Sequence, residues 1–378
     1  MALTNRQAVQ DILLKGTEHC PTAEVLWLMA AKEKWLGGDI PGAQAILAEA
    51  FKQNEDSESI FLAAAKLASE TNEMEAAQQI LEKARSQAYT ERVSTIPLTF
   101  ANSQIWMKSA QLERQLGKLD EALKTLEEAI KKFPQFDKLH MIRGQIHDSR
   151  GETTAARQAY AQGCKLCPKS IPLWILSARL EIKAGVVIKA RGLLERARYF
   201  NPKNDELWTE SIKIEEKASG PQQAKSLLAR GKSLLPSYAN ALAMQECPTS
   251  PLLWSMAIWM ENPQQRKGRS LDALKKAEPH PVVITAVARL FWSERKIEKT
   301  RQWMEKAIAA DEDWGDAWGW WLKFERQHGE MERQQSVVDK CVAAGPHHGH
   351  VWQSVAKDLV NVGKSTREIL ELVADKLE

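Results

Sequence analysis

Tryptophan recurs along this chain at a fixed spacing, and that spacing constrains the fold more than any other feature of the sequence. The 378 residues include 14 Trp but only four Tyr. Ten positions, which we call anchors, form a register in which seven residues are Trp and six of the nine gaps measure 34 residues. A fixed period of about 20 to 50 residues is the signature of a repeat architecture. The anchors are Trp27, Phe61, Trp106, His140, Trp174, Trp208, Trp254, Ile284, Trp318 and Trp352.

Further residues keep the phase of the anchors and define the repeating unit; we write "position n" for the residue n places after an anchor. Small or apolar residues recur at positions 16, 20 and 23, a spacing that places them on one face of a helix. Glycine stands at position 11 in six repeats, where it suits the turn that ends a helix. Proline stands at position 28 in five repeats, where it would end a second helix. Each unit is therefore predicted to be a helical hairpin followed by a proline junction.

One hairpin cannot bury its apolar stripe alone, so the hairpins must stack against one another. We expect an all-α solenoid of about ten hairpins that occupies residues 1–378 as a single array. Residues 4–20 fit the second helix of an earlier hairpin, which indicates a fragment of a longer protein. Three stretches break the register: residues 87–104 should form a protruding loop, residues 232–247 an extended or broken second helix, and residues 262–270 a basic loop in place of the glycine turn.

A charged signature inside the hairpins indicates which kind of repeat this is. An early Trp followed by Ala, an aromatic residue and a second Ala is the tetratricopeptide (TPR) layout. Here five repeats carry Glu at position 7, where that layout usually has Tyr, and three carry Arg at position 17. This pattern resembles the HAT (half-a-tetratricopeptide) repeat family. The resemblance implies a right-handed superhelical solenoid of HAT/TPR-like hairpins. The residues that carry it are Glu113, Glu181, Glu215, Glu261, Glu325, Arg157, Arg191 and Arg301.

Longer segments are similar to the C-terminal repeat region of the pre-mRNA-processing factor 6 family, and this resemblance extends over nearly the whole chain. It implies a non-catalytic scaffold in the nucleus that bridges the U5 and U4/U6 particles of the spliceosomal tri-snRNP. The implied partners are U5 and U4/U6 snRNP proteins and the snRNA backbone, with no membrane and no small-molecule substrate. The segments that carry the resemblance are residues 23–32, 202–208, 272–293 and 315–329.

Two alternatives remain open from the sequence. The chain could be a HAT-repeat scaffold of another RNA-processing complex, such as the one for mRNA 3′-end cleavage. It could also be a solenoid that binds RNA directly through a basic concave face. The residues that recur in phase are core-type Trp, Ala and Leu, so the variable side chains with which repeat proteins read one base per repeat are not visible.

The sequence offers little catalytic or metal-binding chemistry. It has no glycine-rich phosphate loop and no His-Glu-x-x-His pair, and no motif pairs its acidic residues and histidines. Cys164 and Cys167 lack the second pair or His partners of a zinc site, so we expect them to pack. The His-rich residues 346–350 lie at a proline junction, and His140 replaces an anchor Trp, so both are interpreted as structural. We expect no enzyme activity, no cofactor and no metal.

The net charge of +3 hides an uneven distribution. Residues 101–300 hold 33 basic and 21 acidic side chains, whereas the two ends together carry a net charge of −9. Lys or Arg occupies position 5 in seven repeats, about 140° around the helix from the anchor. In a TPR-like solenoid this face lines the concave surface, so this basic ladder could bind an acidic peptide or a phosphate backbone. The alternative is a solvated face that neighbouring acidic residues neutralise.

A Trp-rich cluster is the second candidate surface for partners. Trp320 and Trp321 follow the anchor Trp318 and cannot share its buried face, because adjacent helix positions point about 100° apart. Burial against the next repeat and exposure to a partner are both open. The candidate partner-binding residues are Lys66, Arg179, Lys213, Arg289, Lys323 and Trp320.

Overall fold

The computed structural model describes residues 2–54, 57–90, 100–218, 244, 246–277, 279–361 and 363–377. Within these ranges the chain is built from helices, and its only β contact is a single bridge between Trp314 and His348. The predicted all-α class is confirmed. The helices fall into two compact units, Met1–Cys167 and Pro168–Glu378. None of the described helices combines the length and the apolarity needed to cross a membrane.

The first unit holds one helix followed by four hairpins. Three residues join the two helices of each hairpin, and these helices pack side by side, as short connections between helices require. The helices are α1 (Ala2–His19), α2 (Glu24–Leu36), α3 (Ile40–Gln53), α4 (Glu58–Glu70), α5 (Met74–Thr90), α6 (Phe100–Gln115), α7 (Leu119–Lys132), α8 (Asp137–Ser149) and α9 (Thr153–Leu166).

The second unit repeats the hairpin pattern. After its first hairpin comes a helix whose partner in the register lies outside the described residues, and four further hairpins follow. The helices are α10 (Ile171–Lys183), α11 (Val187–Phe200), α12 (Asp205–Ala218), α13 (Pro251–Met260), α14 (Arg266–Lys276), α15 (Pro281–Ser293), α16 (Ile297–Ala310), α17 (Gly315–His328), α18 (Met331–Ala344), α19 (His350–Ala356) and α20 (Thr366–Lys376).

The start of each first helix explains why the register is so regular. The anchor is the fourth residue of α2, α4, α8, α10, α12, α13, α15 and α17. The side-chain oxygens of Ser57 and Ser250 cap α4 and α13 by accepting hydrogen bonds from backbone N–H groups three residues later. Pro251 and Pro281 occupy the first helical position, where their fixed φ is preorganised for a helix. The junction thus fixes where each first helix begins.

The predicted apolar stripe of the second helices forms much of the core. Leu47, Leu81, Leu126 and Leu194 at position 20 are buried, as are the small residues at position 23 in the same repeats. Alanine at position 16 leaves no side chain that would keep the two helices of a hairpin apart. The fully buried position-16 residues are Ala43, Ala77, Ala122, Ala156 and Ala190.

The glycine turns follow the prediction in most repeats. Gly38, Gly117, Gly151, Gly185 and Gly363 at position 11 have φ values between 75° and 85°, in the left-handed region that favours glycine. Two other residues at position 11 adopt the same conformation although they carry a side chain: Asn72 has a φ of 64° and Arg295 a φ of 59°. Gly329 is an exception, with a φ of −107°, because only two residues join α17 to α18.

The prediction of a protruding loop at residues 87–104 is wrong at both ends. Residues 87–90 complete α5 and residues 100–104 begin α6, so the inserted residues lengthen two helices. No Gly or Pro interrupts the sequence between Met74 and Thr90, and therefore no local signal stops α5. Residues 91–99 lie outside the described residues, as does most of the predicted irregular helix at 232–247.

The expected basic loop at residues 262–270 is also shorter than predicted, because α14 already begins at Arg266. The Arg266 guanidinium donates hydrogen bonds to the carbonyls of Trp259 (3.3 Å) and Glu261 (3.1 Å) at the end of α13. A cationic side chain satisfies carbonyls that the end of a helix leaves unpaired. The basic residues therefore close one helix and start the next.

The last repeat departs from the register in its second helix. The buried residues of α20 are Ile369, Leu370, Val373 and Ala374, whereas the predicted position 20, Leu372, is only partly buried. Asp375 at position 23 forms an ion pair with Arg326 of α17 at 2.7 Å. The first helix of this repeat, α19, has only seven residues and is followed by a 3₁₀ turn at Leu359–Asn361, so the second helix packs in a shifted register.

Candidate partner-binding groove

A recurring hydrogen bond explains why the anchor is so often Trp. The indole N–H of Trp27, Trp174 and Trp254 donates to the carbonyl of the proline six residues earlier, over 2.8–2.9 Å. Trp318 makes the same bond to the Glu312 carbonyl at 2.9 Å. The ring of the anchor therefore packs in the core, and its N–H stabilises the junction by a hydrogen bond. A buried carbonyl without such a partner would cost roughly 1–3 kcal/mol.

Two anchors refine the prediction that these residues are core positions. His140 is completely buried, and its Nε2 lies 2.9 Å from the Pro134 carbonyl, so it reproduces the contact of the indole. Burial lowers the pKa of His140, which favours the neutral ring. Trp208 is only half-buried and makes a longer bond of 3.4 Å to Pro202.

The sequence did not reveal a second donor to the same junction. The side-chain amide of Asn54 donates to the Pro21 carbonyl at 3.1 Å, and that of Asn201 donates to the Pro168 carbonyl at 3.3 Å. Both residues stand at position 27, so an Asn directly before the junction was the signal that could have identified them. The proline carbonyl thus accepts one hydrogen bond from the indole of the anchor six residues later and a second from the Asn side chain at position 27 of that repeat.

Two residues of the basic ladder, Arg179 and Arg289, contact the residue at position 2 of the next repeat. Arg179 forms two hydrogen bonds with Glu210, at 2.5 and 3.2 Å. Although burial raises the pKa of Glu210, its hydrogen bond from Arg179 and the charge of Lys213, 3.4 Å away, keep the pKa below its usual value. Arg179 and Lys213 therefore share one carboxylate, which offsets one of their two positive charges.

In the first unit the same two positions hold two cations. Lys66 at position 5 precedes Lys108 at position 2 of the next repeat. Burial, followed by the charges of Lys66 and Lys138, lowers the pKa of Lys108. Lys66 itself is mostly exposed, lies 5.1 Å from the Trp35 ring and approaches Glu70 at 3.8 Å. It belongs to a different unit from the other candidate residues.

Arg289, Lys323 and Trp320 do come together, in the second unit. The Arg289 guanidinium carbon lies 3.7 Å from the centre of the Trp320 ring and 4.9 Å from that of Trp259. Trp259 stands at position 5, so it replaces a cation of the ladder. The Lys323 ammonium lies 5.6 Å from the Trp320 ring and donates to the Leu377 carbonyl. Trp320 is 9% exposed, so the Trp-rich cluster is largely buried and Arg289 covers one of its rings.

These side chains border a groove on the face formed by α13, α15 and α17. Its main cavity has a volume of about 400 Å³, within the usual size range for ligand sites. One end is apolar and the other is aromatic and cationic. Burial lowers the pKa of Arg289 to about 10. The groove is lined by Leu252, Met256, Trp259, Met260, Val282, Thr285, Arg289, Trp314, Asp316, Trp320 and His350, and beyond Arg289 by Trp292, Arg295, Lys323 and His328.

The residues screened for metal or catalytic chemistry have structural contacts. Burial raises the pKa of the Cys164 thiol to about 12, and the Cys167 thiol donates to the Gln135 carbonyl at 3.2 Å. Nδ1 of His347 lies 3.0 Å from the Asp313 carboxylate, which His348 also contacts. Among the described residues, no three His, Cys, Asp or Glu side chains are grouped as metal ligands.

Comparison with known proteins identifies the repeat. Tetratricopeptide repeat models match residues 35–96 and 107–171. Pre-mRNA-splicing factor prp1 of Schizosaccharomyces pombe is 43% identical over 247 residues, and human pre-mRNA-processing factor 6 is 48% identical over 114 residues. These matches support a HAT/TPR-like repeat protein similar to the pre-mRNA-processing factor 6 family. The resemblance inferred from the anchors and the position-7 Glu residues is thereby confirmed.

The shared regions are partial on both sides. The alignment with the fission yeast family member covers 65% of this chain and 26% of that protein, and the alignment with the human member covers 30% and 12%. Among solved structures, the C-terminal part of a TPR repeat-containing protein from Cytophaga hutchinsonii aligns with 77% of this chain and 97% of that chain, at 10% identity and a TM-score of 0.41.

Proposed function

We propose that this chain is a non-catalytic scaffold in nuclear pre-mRNA splicing that holds other spliceosomal proteins and bridges the U5 and U4/U6 particles during tri-snRNP assembly. The observation that carries the proposal is the 43% identity over 247 residues to a protein named as a pre-mRNA-splicing factor. We further propose that residues 1–378 act as one continuous repeat array. A repeat array presents many side chains in a regular order, which suits it to binding extended partners.

A scaffold role agrees with the chemistry of the described residues. Cys164 is buried with a raised pKa, whereas a nucleophilic thiol needs a lowered one. The anchor His140 is held by a junction carbonyl inside the core. Glu325 at position 7 is buried and accepts two hydrogen bonds from Arg301, at 2.9 and 3.1 Å. These titratable groups stabilise the hairpins and are not directed toward a common reaction site.

We propose that the surface for partners is centred on Arg289, Lys323 and Trp320 rather than spread evenly along the ladder. Arg179 and Lys213 share the Glu210 carboxylate, so an acidic partner would have to compete with it. An ion pair that a partner formed with an exposed cation such as Arg179 or Lys213 would contribute only about 0–1 kcal/mol. The groove instead offers buried aromatic and Arg side chains, the residue types that dominate binding energy at protein interfaces.

Affinity purification of the complete protein that carries this chain, with identification of bound proteins and RNAs together, tests the proposal. We expect U4, U5 and U6 snRNAs and their proteins to be recovered. Recovery of 3′-end cleavage factors without these snRNAs would instead support a scaffold of another RNA-processing complex. Recovery of RNA that survives removal of every partner protein would support direct RNA binding.

A further inference from the structure

The groove of the second unit is formed by the first helices of three successive repeats. On α13, Leu252, Met256 and Met260 recur every four residues and so lie on one face of the helix. Val282 of α15 adds a further apolar side chain to the lining. Methionine side chains are flexible and adapt to apolar groups of irregular shape. This part of the groove therefore suits a large apolar side chain.

Two buried polar groups of the same lining lack a partner. The indole N–H of Trp259 and the hydroxyl of Thr285 are buried, and neither forms a hydrogen bond with any described residue. Thr285 is only 5% exposed, and buried polar groups in folded proteins are nearly always paired. The indole can only donate, whereas the hydroxyl can donate or accept. Because both side chains line the cavity, a molecule bound there can supply both missing partners.

The charges of the groove favour an uncharged occupant. The described lining of the cavity holds one Arg, Arg289, and one Asp, Asp316, whose formal charges cancel. The Asp316 carboxylate accepts hydrogen bonds from the backbone N–H groups of His350 and Trp352, at 2.8 and 2.7 Å. Arg289 likewise interacts with other groups of the chain. Both charges are engaged within the chain, so recognition in the cavity depends on shape and on hydrogen bonds.

The two unpaired groups distinguish between the conformations that a bound protein segment could adopt. A helix uses its backbone C=O and N–H groups in its own hydrogen bonds. An extended segment leaves both kinds of group available to pair with Trp259 and Thr285. Its successive side chains point in opposite directions, so an apolar side chain can enter the groove while its neighbours stay in solvent. An extended segment therefore fits the groove better than a helix does.

The cavity is less suited to RNA. Proteins bind single-stranded RNA by stacking bases on the faces of aromatic rings and by attracting its phosphates with basic side chains. Here the Arg289 guanidinium lies over the rings of Trp259 and Trp320, at 4.9 and 3.7 Å from their centres. The cancelling charges of the cavity lining offer no net attraction to phosphates. Both observations favour a protein segment.

We propose that this groove binds an extended, uncharged segment of a partner protein. A backbone carbonyl of the segment accepts from the Trp259 indole, a neighbouring peptide group pairs with the Thr285 hydroxyl, and a large apolar side chain packs against Met256 and Met260. The inference rests on the proposed scaffold function, because it assigns that function a docking site and a kind of partner. The contact is short, in keeping with a cavity of about 400 Å³, and acts together with contacts elsewhere on the partner.

Fluorescence anisotropy with the 378-residue chain tests this assignment. The probe is a short labelled peptide of alternating Leu and Ser with blocked ends, which is uncharged and presents its Leu side chains on one side when extended. The same peptide with Ala for Leu and an oligouridylate of equal length are the comparisons. We expect the Leu peptide to bind with an affinity that changes little with salt. The Ala peptide should bind about tenfold or more weakly.

Two variants remove the unpaired groups one at a time. Trp259→Phe keeps an aromatic ring but removes the N–H, and Thr285→Val removes the hydroxyl at nearly constant shape. Each should weaken binding of the Leu peptide about fivefold. Thr285→Val should not lower the melting temperature, because the hydroxyl has no hydrogen bond to any described residue. Weaker binding without a loss of stability separates a binding role from a structural one.

The chain offers a matched control for each variant. Thr209 stands at position 1 of its repeat, as Thr285 does, and its buried hydroxyl also lacks a partner among the described residues, but it lies outside the groove lining. Trp303 is half-buried like Trp259 and also lies outside the lining. Thr209→Val and Trp303→Phe should therefore bind the Leu peptide as the wild-type chain does.

Several results would overturn the assignment. It fails if the Leu peptide does not bind up to about 1 mM, if the Ala peptide binds as tightly, or if the oligouridylate competes more strongly than the peptide. It also fails if Trp259→Phe and Thr285→Val bind the Leu peptide as tightly as their two control variants do.

The docking site and the scaffold function can fail separately. If the complete protein with both Trp259→Phe and Thr285→Val still recovers all spliceosomal partners while the Leu peptide does not bind the wild-type chain, the scaffold stands and the groove is not its docking site. If the wild-type protein recovers no spliceosomal partner but the Leu peptide binds as expected, the groove recognises extended segments in another assembly.

Discussion

The anchor Trp174 contributes to stability in two ways, through its buried ring and through its indole hydrogen bond, and substitutions can measure each. The indole of Trp174 is 5% exposed, stacks near Phe200 with a ring distance of 6.1 Å, and donates to the Pro168 carbonyl at 2.9 Å. Trp174→Ala removes the ring and the donor, so we expect a loss of about 3–5 kcal/mol. Trp174→Phe keeps most of the ring contact and loses the donor. Because Asn201 still donates to the same carbonyl, Trp174→Phe should lower the free energy of unfolding by only about 1 kcal/mol.

Guanidinium denaturation followed by circular dichroism, together with hydrogen exchange of residues 171–200, measures both effects. Exchange is needed because a repeat array can open locally without one global transition. Trp208→Ala is the control within the register: Trp208 is half-buried and its bond is 3.4 Å long, so it should cost less than Trp174→Ala. A Trp174→Phe variant as unstable as Trp174→Ala would show that the ring contributes little. A near-wild-type Trp174→Ala variant would refute the register.

Four further substitutions test other parts of the structure. Arg295→Gly should raise the free energy of unfolding by about 1 kcal/mol, because glycine adopts the left-handed φ of 59° without strain. Gly151→Ala at the equivalent turn should lower the free energy of unfolding by a similar amount. Thermal melts measure both changes. Burial raises the pKa of Glu58 to about 7 from 4.5, so the folded state holds a proton that the unfolded state releases. The free energy of unfolding should therefore fall as pH rises from about 4.5 through about 7. In Glu58→Gln this pH dependence should be weaker, and an unchanged pH profile of the melting temperature would contradict the assignment. Glu325→Ala should cost about 3 kcal/mol in urea denaturation, since it strips Arg301 of a buried carboxylate while a second, exposed one remains.

The hairpins could be predicted because their signals are local and repeat in phase. Position 11 controls a turn, position 16 a close helix contact, and the proline a helix end, and each acts within a few residues of the chain. Even the indole hydrogen bond could have been predicted, since Trp27 and Trp254 follow a proline by six residues and His140 preserves a ring N–H. The errors fall where a helix continues past the expected boundary for lack of a stop signal, as α5 does.

The groove was only half-predicted, for a different reason. The sequence placed Arg289, Lys323 and Trp320 among the candidates, yet it gave them the same standing as Arg179 and Lys213. It missed Trp259 and Thr285, whose part depends on unpaired donors that no spacing reveals. The apolar end formed by Leu252, Met256, Met260 and Val282 likewise carries no periodic signal, because its members come from two helices that meet only in the fold.

The electrostatic surroundings of three basic residues at position 5 depend on the residue at position 2 of the next repeat. At position 2 of the next repeat, Arg179 meets the carboxylate of Glu210 and Lys66 precedes Lys108, whereas Arg289 meets the ring of Trp320. A carboxylate offsets part of the positive charge, a second cation repels it, and an aromatic ring orients the guanidinium that lies over it. The three neighbours therefore place these three basic residues in different electrostatic surroundings. In the described part of the ladder, Arg289 contacts an aromatic residue at position 2 of the next repeat, which is why we propose the groove, rather than the ladder as a whole, as the surface for a partner.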